Sequence, residues 1–337
     1  MASMIATAIF TAFTGISIVT IVAFGGVLFP LLKKINYSDN FSYGLITSIG
    51  PLGILLPPCI VVVLYGIIAQ VSIRGLYIAG FLPVVVCFII LTIYIGTISI
   101  MQNIPRTPFN FLEVFKSFYE IKYEAPLAII VIAGIFGGYF TVNDAAAFTA
   151  IYFIIIEVFI LKEIQVKKLP SIMEDSMKML GAVFFIVGVA MSFANYLIFQ
   201  EIPMQLLEWI KLSIHSKIGF LIALNLFLFV VGMALDMFTA ILIIVPMILP
   251  IANHFEINPY HLGVIFLFNL EIGFMTPPVG INLFVSAMRF NKPVLVMFKS
   301  VLPFLLMLII TLVVLTYCEF ISTFMVEFFN VRSQIVI

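Results

Sequence analysis

The chain has 337 residues, of which 64% are hydrophobic and only 9% are charged, and its mean hydropathy is +1.27. A soluble domain is about 45–50% apolar and about 25% charged, so this composition excludes a soluble globular protein. The 16 basic residues balance the 16 acidic ones, which leaves no electrostatic argument for nucleic acid as a partner. The apolar runs are long and continuous rather than alternating, so we predict an all-α polytopic protein of the lipid bilayer and not a β-barrel.

Two apolar stretches are interrupted by small or polar residues and are predicted to be re-entrant hairpins. Residues 1–32 carry threonines, serines and a glycine among their apolar side chains, and residues 220–252 contain the polar interruption Gly232–Asp236. Each stretch would enter the membrane to mid-depth, turn, and leave on the side from which it came.

Two further apolar segments, 43–70 and 262–288, are long enough to cross a bilayer but carry a proline pair near the middle. Proline lacks a backbone N–H and forces the residue before it out of the helical region, so residues 57–58 and 277–278 predict breaks in both helices. The hydrocarbon of a membrane cannot satisfy the free backbone groups at a break. Broken helices of this kind are where secondary transporters bind substrates and ions.

The two halves of the chain share a register. An offset of 220 residues, without a gap, places five residues that bend or break helices on identical residues in the second half: Pro30, Gly53, Pro57, Pro58 and Pro83. Matching breaks within matching hydropathy predict an internal duplication.

The remaining sequence predicts ordinary crossings and connectors. The crossings are residues 76–101, 125–140, 145–161, 179–200 and 300–325; a polar connector covers 102–124, a charged linker 162–178 and an interfacial segment 201–217. We divide the chain into a first repeat at 1–101, a connector with scaffold helices at 102–217, and a second repeat at 218–337.

The basic residues orient this topology. With both hairpins re-entrant, twelve of the 16 lysines and arginines fall on one side, as the positive-inside rule requires of the cytoplasmic face. The loop 33–40 is then inside and its counterpart 253–260 is outside. The two repeats are therefore predicted to be inverted relative to each other, with seven full crossings in addition to the two hairpins.

Several of these motifs resemble one family. Asn269–Val285 is similar, almost residue for residue, to the second broken-helix motif in the large membrane subunit (DctM type) of tripartite ATP-independent periplasmic (TRAP) transporters. Gly232–Asp236 resembles its second hairpin, and Gly137–Ala147 its glycine-rich stretch, with departures at positions 142–144. Residues 14–17 are similar to its first hairpin, with isoleucine for a usual serine, and Cys59 replaces a usual serine.

The resemblance implies a sodium-driven elevator in the bacterial inner (cytoplasmic) membrane. Such a subunit imports an organic acid, for example a C4-dicarboxylate or sialic acid, together with a small TRAP membrane subunit and an extracytoplasmic substrate-binding protein. The family's large subunits are typically longer, so the first repeat is expected to be incomplete, and a truncated or split non-transporting fragment is the alternative. A membrane-embedded enzyme is the third reading, disfavoured because the sequence has neither an Asp-rich metal motif nor a His-Glu-x-x-His motif. The absence of a phosphate-binding loop argues against ATP hydrolysis by this chain.

On this resemblance we expect sodium as the coupling ion, with no other cofactor and no transition metal. Unwound backbone and hydroxyl oxygens would bind the ions, and half-helix ends beyond the prolines would face a substrate carboxylate. The candidate ion-binding residues are Thr14, Gly15, Ser17, Ser48, Gly50, Gly53, Gly232, Asp236, Gly273, Thr276 and Gly280. The candidate substrate-binding residues are Pro57, Pro58, Pro277, Pro278 and Asn282.

Three acidic residues have predicted roles, and for two of them we keep two alternatives. Asp236 is either an ion ligand or the N-cap of the helix that follows it. Glu271, a carboxylate inside an apolar segment, either pairs with a neighbouring helix or contributes to coupling. Asp144 is predicted to cap the helix that starts beside it.

Overall fold

A computed structural model describes residues 2–102, 104 and 122–329, and helices are the regular secondary structure of these residues. In chain order they are α1 (Ala2–Thr14), α2 (Ser17–Lys34), α3 (Asp39–Ser48), α4 (Pro51–Ile54), α5 (Ile60–Ala69), α6 (Ile73–Met101), α7 (Glu124–Gly137), α8 (Val142–Ile154), α9 (Leu169–Phe199), α10 (Ile202–Ser213), α11 (Lys217–Ala234), α12 (Met237–His254), α13 (Pro259–Gly273), α14 (Ile281–Phe290), α15 (Val294–Tyr317) and α16 (Glu319–Phe328). The predicted connector at 102–124 lies mostly outside the described residues.

Six helical stretches of the described residues are long and apolar enough to cross a membrane: Ser17–Lys34, Ile73–Met101, Asn143–Ile160, Lys217–Ala234, Met237–His254 and Val294–Tyr317. The chain is therefore a multi-pass α-helical membrane protein. It forms two compact units, one of Met1–Pro105 with Phe193–Ile337 and one of Arg106–Ser192. The predicted boundaries after residues 101 and 217 separate the first repeat, the connector with scaffold helices and the second repeat, and they remain a prediction.

In the first unit, the helix pairs α1–α2 and α11–α12 turn where the sequence indicated. Gly15 takes a φ of +69° between α1 and α2, a conformation that glycine adopts without a steric penalty. Asp236 is the N-cap of α12, and its Oδ2 accepts a hydrogen bond from the N–H of Thr239 at 3.1 Å. The capping alternative for Asp236 is confirmed.

The two proline pairs interrupt their helices. In the first segment α3 ends at Ser48, one short turn follows, and α5 begins at Ile60. In the second segment α13 ends at Gly273 and α14 begins at Ile281. Each segment thus carries two half-helices with a non-helical stretch between them.

The element bounds follow the 220-residue offset. Shifted by 220, the bounds of α2 coincide with those of α12, the end of α1 with that of α11, and the start of α3 with that of α13. Packing follows the same rule. Helix α1 packs on α4, and its counterpart α11 packs on α13, so both of these contacts stay within one half of the chain. Helix α2 packs on α14, and its counterpart α12 packs on α5, so both of these contacts join the two halves. The second arm of each helix pair therefore packs against the other half of the chain.

The contact between α1 and α4 depends on the absence of a side chain at Gly53. A Cβ at this position would lie 2.3 Å from the carbonyl oxygen of Ala8 and 2.5 Å from Cβ of Thr11. Because one of these atoms is backbone, the helices would have to separate.

We expect Gly53→Ala to destabilise this unit by about 1–3 kcal/mol, the usual cost of overpacking. The measurement is the thermal unfolding midpoint in detergent. Gly96→Ala is the matched control, because no neighbouring atom of the part of the chain that the structure describes lies within 4 Å of a Cβ at Gly96 in α6. That control should be neutral or slightly stabilising, since alanine is the better helix former. Equal midpoints for the two variants would contradict the close contact.

The predicted crossing at 300–325 differs from the structure, which has two helices meeting at Cys318. The carbonyl oxygen of Thr316 accepts a hydrogen bond from Nε2 of His261 at 3.2 Å, and Nδ1 of the same ring meets Ser322 Oγ. Glu319 begins α16 and pairs with Lys217 at 2.7 Å. These partners come from distant segments, which explains why the local sequence did not reveal the break.

In the second unit, α7 and α8 are joined by a tight turn. Thr141 is the N-cap of α8, and Asp144 completes a capping box in which each side chain bonds the other's backbone N–H. The capping role predicted for Asp144 is confirmed. The helix α8 continues into a π-helical turn at Ile155–Ile160.

Candidate functional site

A cavity of about 170 Å³ lies where the turns of both helix pairs approach the broken helix of the second half. Its polar lining comes from Gly15 and Ser17 at the first turn, Asp236 at the second turn, and Glu271 in α13. The remaining lining is apolar and includes Ile54 and Phe274. Residues predicted for two separate ion sites therefore share one cavity.

A buried chain of hydrogen bonds crosses the boundary between the halves. Ser17 Oγ donates to Glu271 Oε1 at 3.0 Å and accepts from Nδ2 of Asn282 at 3.1 Å. Asn282 and Glu271 have no exposed surface, and Ser17 is 2% exposed. Since burial in a low dielectric strengthens hydrogen bonds and penalises missing ones, these three side chains fix the first turn to α13 and α14.

The absence of a side chain at Gly50 leaves space for the hydrogen bonds between Ser17, Glu271 and Asn282. A Cβ there would lie 2.5 Å from Cβ of Ser17 and 3.4 Å from Glu271 Oε2. Gly15 lies instead against the start of α5, where its Cβ would meet the backbone nitrogen of Ile60 at 3.3 Å. The structure thus brings Gly15, Ser17 and Gly50 together around the first turn.

The other two candidates of the first half lie at helix ends. Thr14 is half-buried at the end of α1, and its hydroxyl makes only long contacts with the carbonyl oxygens of Thr11 and Ile16, at 3.4 and 3.5 Å. Ser48 ends α3 and is buried, and its Oγ has no hydrogen-bond partner among the described residues. Gly53, discussed above, faces α1 rather than the cavity lining.

In the second half, Gly232 and Gly273 touch each other. A Cβ on Gly273 would lie 2.6 Å from Cα and C of Gly232, so these two glycines let α11 and the end of α13 meet backbone to backbone. Thr276 Oγ1 donates to the carbonyl oxygen of Ile272 at 3.1 Å. Gly280 takes a φ of +58°, and its N–H approaches the carbonyl oxygen of Met233 at 3.4 Å.

The two proline pairs differ in exposure. Pro57 is buried and Pro58 half-buried, whereas Pro277 and Pro278 are exposed. Helix α6 packs against the residues on either side of the first pair: a Cβ on Gly80 would meet the carbonyl oxygen of Leu55 at 2.8 Å, and the hydroxyl of Tyr77 donates to the carbonyl oxygen of Cys59 at 2.8 Å. Only the second break is open, a distinction that the matching motifs did not reveal.

The start of α14 was expected to present free backbone N–H groups to a substrate carboxylate, but two of these groups already have hydrogen-bond partners. The N–H of Asn282 bonds the carbonyl oxygen of Phe274 at 3.0 Å, and that of Leu283 bonds Gly280 at 2.8 Å. The side chain of Asn282 is engaged with Ser17 and lies in the network rather than beside the exposed prolines.

Sequence reasoning left Glu271 out of the candidate ion ligands, yet it joins the cavity to the hydrogen-bond chain. The available signal was a carboxylate within an apolar segment, which is costly in a membrane unless it serves a function. Its partner Ser17 lies 254 residues away in sequence, so the pairing itself could not be inferred. The side chains that meet here include the carboxyl groups of Glu271 and Asp236 and the hydroxyl of Ser17, groups of the kind that bind hard cations.

Comparison with known proteins gives the family. The model for "Tripartite ATP-independent periplasmic transporter, DctM component" matches residues 1–321. The chain is 32% identical over 322 residues to the C4-dicarboxylate TRAP transporter large permease protein DctM of Pseudomonas aeruginosa, covering 95% of this chain and 75% of that protein. It is 30% identical to the ectoine TRAP transporter large permease protein TeaC of Halomonas elongata, covering 94% and 74%.

A third relative, the sialic acid TRAP transporter permease protein SiaT of Haemophilus influenzae, is 31% identical over 95% of this chain and 52% of its own length. These matches extend over nearly all of the described residues and include both helix pairs and both broken helices. The chain therefore belongs to the DctM family of TRAP transporter large permeases, whose members are transporters and not enzymes.

Proposed function

We propose that this chain is the large permease subunit of a sodium-coupled importer of a small organic acid in a bacterial inner membrane. The observation that carries the proposal is the meeting of both helix-pair turns and a broken helix at one cavity, where Ser17, Asp236 and Glu271 are among the lining residues. Secondary transporters place their ion and substrate sites at such interrupted helices. The carboxyl and hydroxyl groups among its residues are compatible with sodium as the coupling ion.

The proposed transport domain consists of two inverted repeats with re-entrant hairpins at α1–α2 and α11–α12. Support comes from the coincident element bounds and from the exchanged packing of α2 and α12 onto the opposite half. Two sequence-related units that pack in this reciprocal way fit a pseudo-twofold axis in the membrane plane. The sliding of such a domain against a scaffold would carry substrate across the bilayer.

The open break at Pro277 and Pro278 is the proposed side of substrate entry, because Pro57 of the first break is buried and α6 packs on either side of that break. Relatives are named for C4-dicarboxylate, ectoine and sialic acid transport. A C4-dicarboxylate and sialic acid are therefore the first substrates to test. A small TRAP membrane subunit and an extracytoplasmic binding protein are the proposed partners.

The test is uptake in proteoliposomes that contain this chain with a small membrane subunit, in the presence of a binding protein loaded with labelled substrate. We expect uptake that requires an inward sodium gradient and is lost when potassium replaces sodium. Substrate uptake that is indifferent to the sodium gradient would contradict the coupling. Substrate turnover into a new compound without any gradient would contradict transport.

Thr276→Val gives a narrower test of the second ion site. The change removes the only polar atom of a side chain beside the open break while it preserves the shape. We expect sodium-dependent uptake to fall about tenfold or more, the effect of one lost oxygen contact of about 1.4 kcal/mol or more. Thr149→Val is the matched control, since Thr149 Oγ1 also bonds the carbonyl four residues earlier, in α8. Equal uptake in both variants would remove Thr276 from the site.

A further inference from the structure

The first helix pair, α1 and α2, has a hydrogen bond between its own arms. The hydroxyl oxygens of Thr11 and Thr20 lie 2.7 Å apart, and the two residues are 0% and 1% exposed. Because the Thr11 hydroxyl donates its proton to the carbonyl oxygen of Thr7, Thr20 is the donor in this bond. The bond resists separation of the arms, since opening it would leave the buried hydroxyl of Thr20 unpaired.

The second helix pair, α11 and α12, has no hydroxyls at the corresponding positions. At the 220-residue offset Thr11 and Thr20 correspond to Val231 and Ala240, which are also buried. The arms of the second pair pack chiefly on different neighbours, α11 on α13, and α12 on α5 and α10. The two pairs therefore share their element bounds but not the bond that links their arms.

Side-chain hydrogen bonds attach α11 to α13, α15 and α16. Oδ1 of Asn225 accepts from Nδ2 of Asn269 in α13 at 2.7 Å, and Nδ2 of Asn225 donates to the hydroxyl of Thr316 in α15 at 3.1 Å. At the start of α11, Lys217 pairs with Glu319 at 2.7 Å. Asn269 is fully buried, where a low dielectric strengthens hydrogen bonds. Helix α11 is therefore the fixed arm of the second pair.

The other arm, α12, is held by apolar packing. Within the part of the chain that the structure describes, the side-chain hydrogen bonds of this helix stay in its first turn, where Thr239 bonds the N-cap residue Asp236. The buried residues of α12 are all apolar. Apolar packing is non-directional, so a shift of α12 along α5 and α10 breaks no side-chain hydrogen bond to them.

The turn between α11 and α12 lies beside the open break. Gly232 touches Gly273 at the end of α13, and the carbonyl oxygen of Met233 is 3.4 Å from the N–H nitrogen of Gly280, longer than the usual separation of about 2.9–3.0 Å. The turn of the first pair is instead tied to α13 and α14 by the buried side-chain hydrogen bonds described above. The second turn thus has the weaker polar attachment.

We propose that residues 235–254, which comprise the second turn and α12, form a lid over the open break, whereas the first helix pair moves as one unit. The lid swings at the end of the fixed arm α11 while α12 slides on α5 and α10. It opens to admit a substrate to Pro277 and Pro278 and closes over it. This role in transport rests on the proposed function, but the difference in mobility between the two pairs does not.

The experiment compares the two helix pairs by amide hydrogen exchange, followed by mass spectrometry of the purified full-length chain in detergent. The peptides to compare are 13–23 and 233–243, which correspond at the 220-residue offset. We expect peptide 233–243 to exchange about tenfold faster or more, because local opening controls the exchange of helical amides. Equal exchange of the two peptides would overturn the lid.

Thr20→Val tests the bond between the arms of the first pair. The change preserves the shape of the side chain, removes the donor to Thr11, and should speed the exchange of peptide 13–23 about 2- to 12-fold, the effect of one lost hydrogen bond. Thr20→Ser keeps the hydroxyl and should exchange as the wild type does. Thr323→Val is the matched control, because the hydroxyl of Thr323 bonds the carbonyl of Glu319 within α16. Wild-type exchange in Thr20→Val would show that the bond does not hold the arms together, and the wild-type comparison decides where this variant does not fold.

The converse variant connects the lid to transport. Val231→Thr combined with Ala240→Ser places hydroxyls at the positions in the second pair that correspond to Thr11 and Thr20. Exchange of peptide 233–243 and sodium-dependent uptake should slow together. Slower exchange with wild-type uptake would overturn the lid and leave the proposed importer standing. A mobile second pair in a chain that transports no substrate would support the mobility difference and contradict the proposed function.

Discussion

Gly273→Leu is expected to abolish sodium-dependent uptake. A leucine at this position must place its Cβ 2.6 Å from the backbone of Gly232, where no side chain can move aside. The end of α13 would have to leave α11, and this displacement would carry Thr276 and the open break out of position. The loss should reach the detection limit in the proteoliposome assay, with the protein still inserted in the membrane.

The matched control is Gly188→Leu in α9. Among the described residues, no neighbouring atom lies within 4 Å of a Cβ on Gly188, so the same change in size and helix propensity occurs without a backbone collision there. Uptake by this variant should remain near wild type. Normal uptake by Gly273→Leu would show that the contact between the two glycines is not needed for transport.

Ser17→Ala is expected to give the largest loss of stability among single-atom deletions at the site. It removes the donor to Glu271 Oε1 and the acceptor for Asn282, so that the carboxylate loses the hydroxyl that ties it to the first turn. Leaving buried polar groups unpaired costs about 1–3 kcal/mol, and more for charged groups. For a chain of this size that corresponds to a midpoint about 1–4 °C lower.

A double-mutant cycle isolates the pair. Combining Ser17→Ala with Glu271→Gln should cost less than the sum of the single changes, because the second variant already lacks the charge that Ser17 serves. Ser176→Ala is the control: its hydroxyl bonds only the carbonyl of Ile172 on an exposed helix face, and its loss should change little. Strict additivity of Ser17→Ala and Glu271→Gln would mean that the two side chains are not coupled.

The sequence was sufficient for the interrupted helices, because proline and glycine act locally. Pro57, Pro58, Pro277 and Pro278 exclude a continuous helix whatever surrounds them, and the breaks lie where these residues are. The cap at Asp236 could be predicted for the same reason, since a capping carboxylate bonds an N–H only three residues away.

Contacts between distant segments could not be predicted in this way. The bond from Ser17 to Glu271 joins positions 254 residues apart, and only the exchanged packing of the helix pairs brings them together. The break at Cys318 depends on His261 and Lys217, and α6 packs on either side of the first proline pair. Matching motifs predicted equal breaks, but the tertiary neighbours that distinguish the two breaks do not appear in the motifs.

The exchanged packing also affects how the protein is made. Asn282, a buried hydrogen-bond partner of Ser17, is translated 265 residues after it. At about 5–20 residues per second, the interval is roughly 10 to 50 s. During this time Ser17 and the turn at Gly15 lie in or near the bilayer without their final neighbours. The first helix pair therefore acquires its buried partner in the second half only after a further 265 residues have been synthesised.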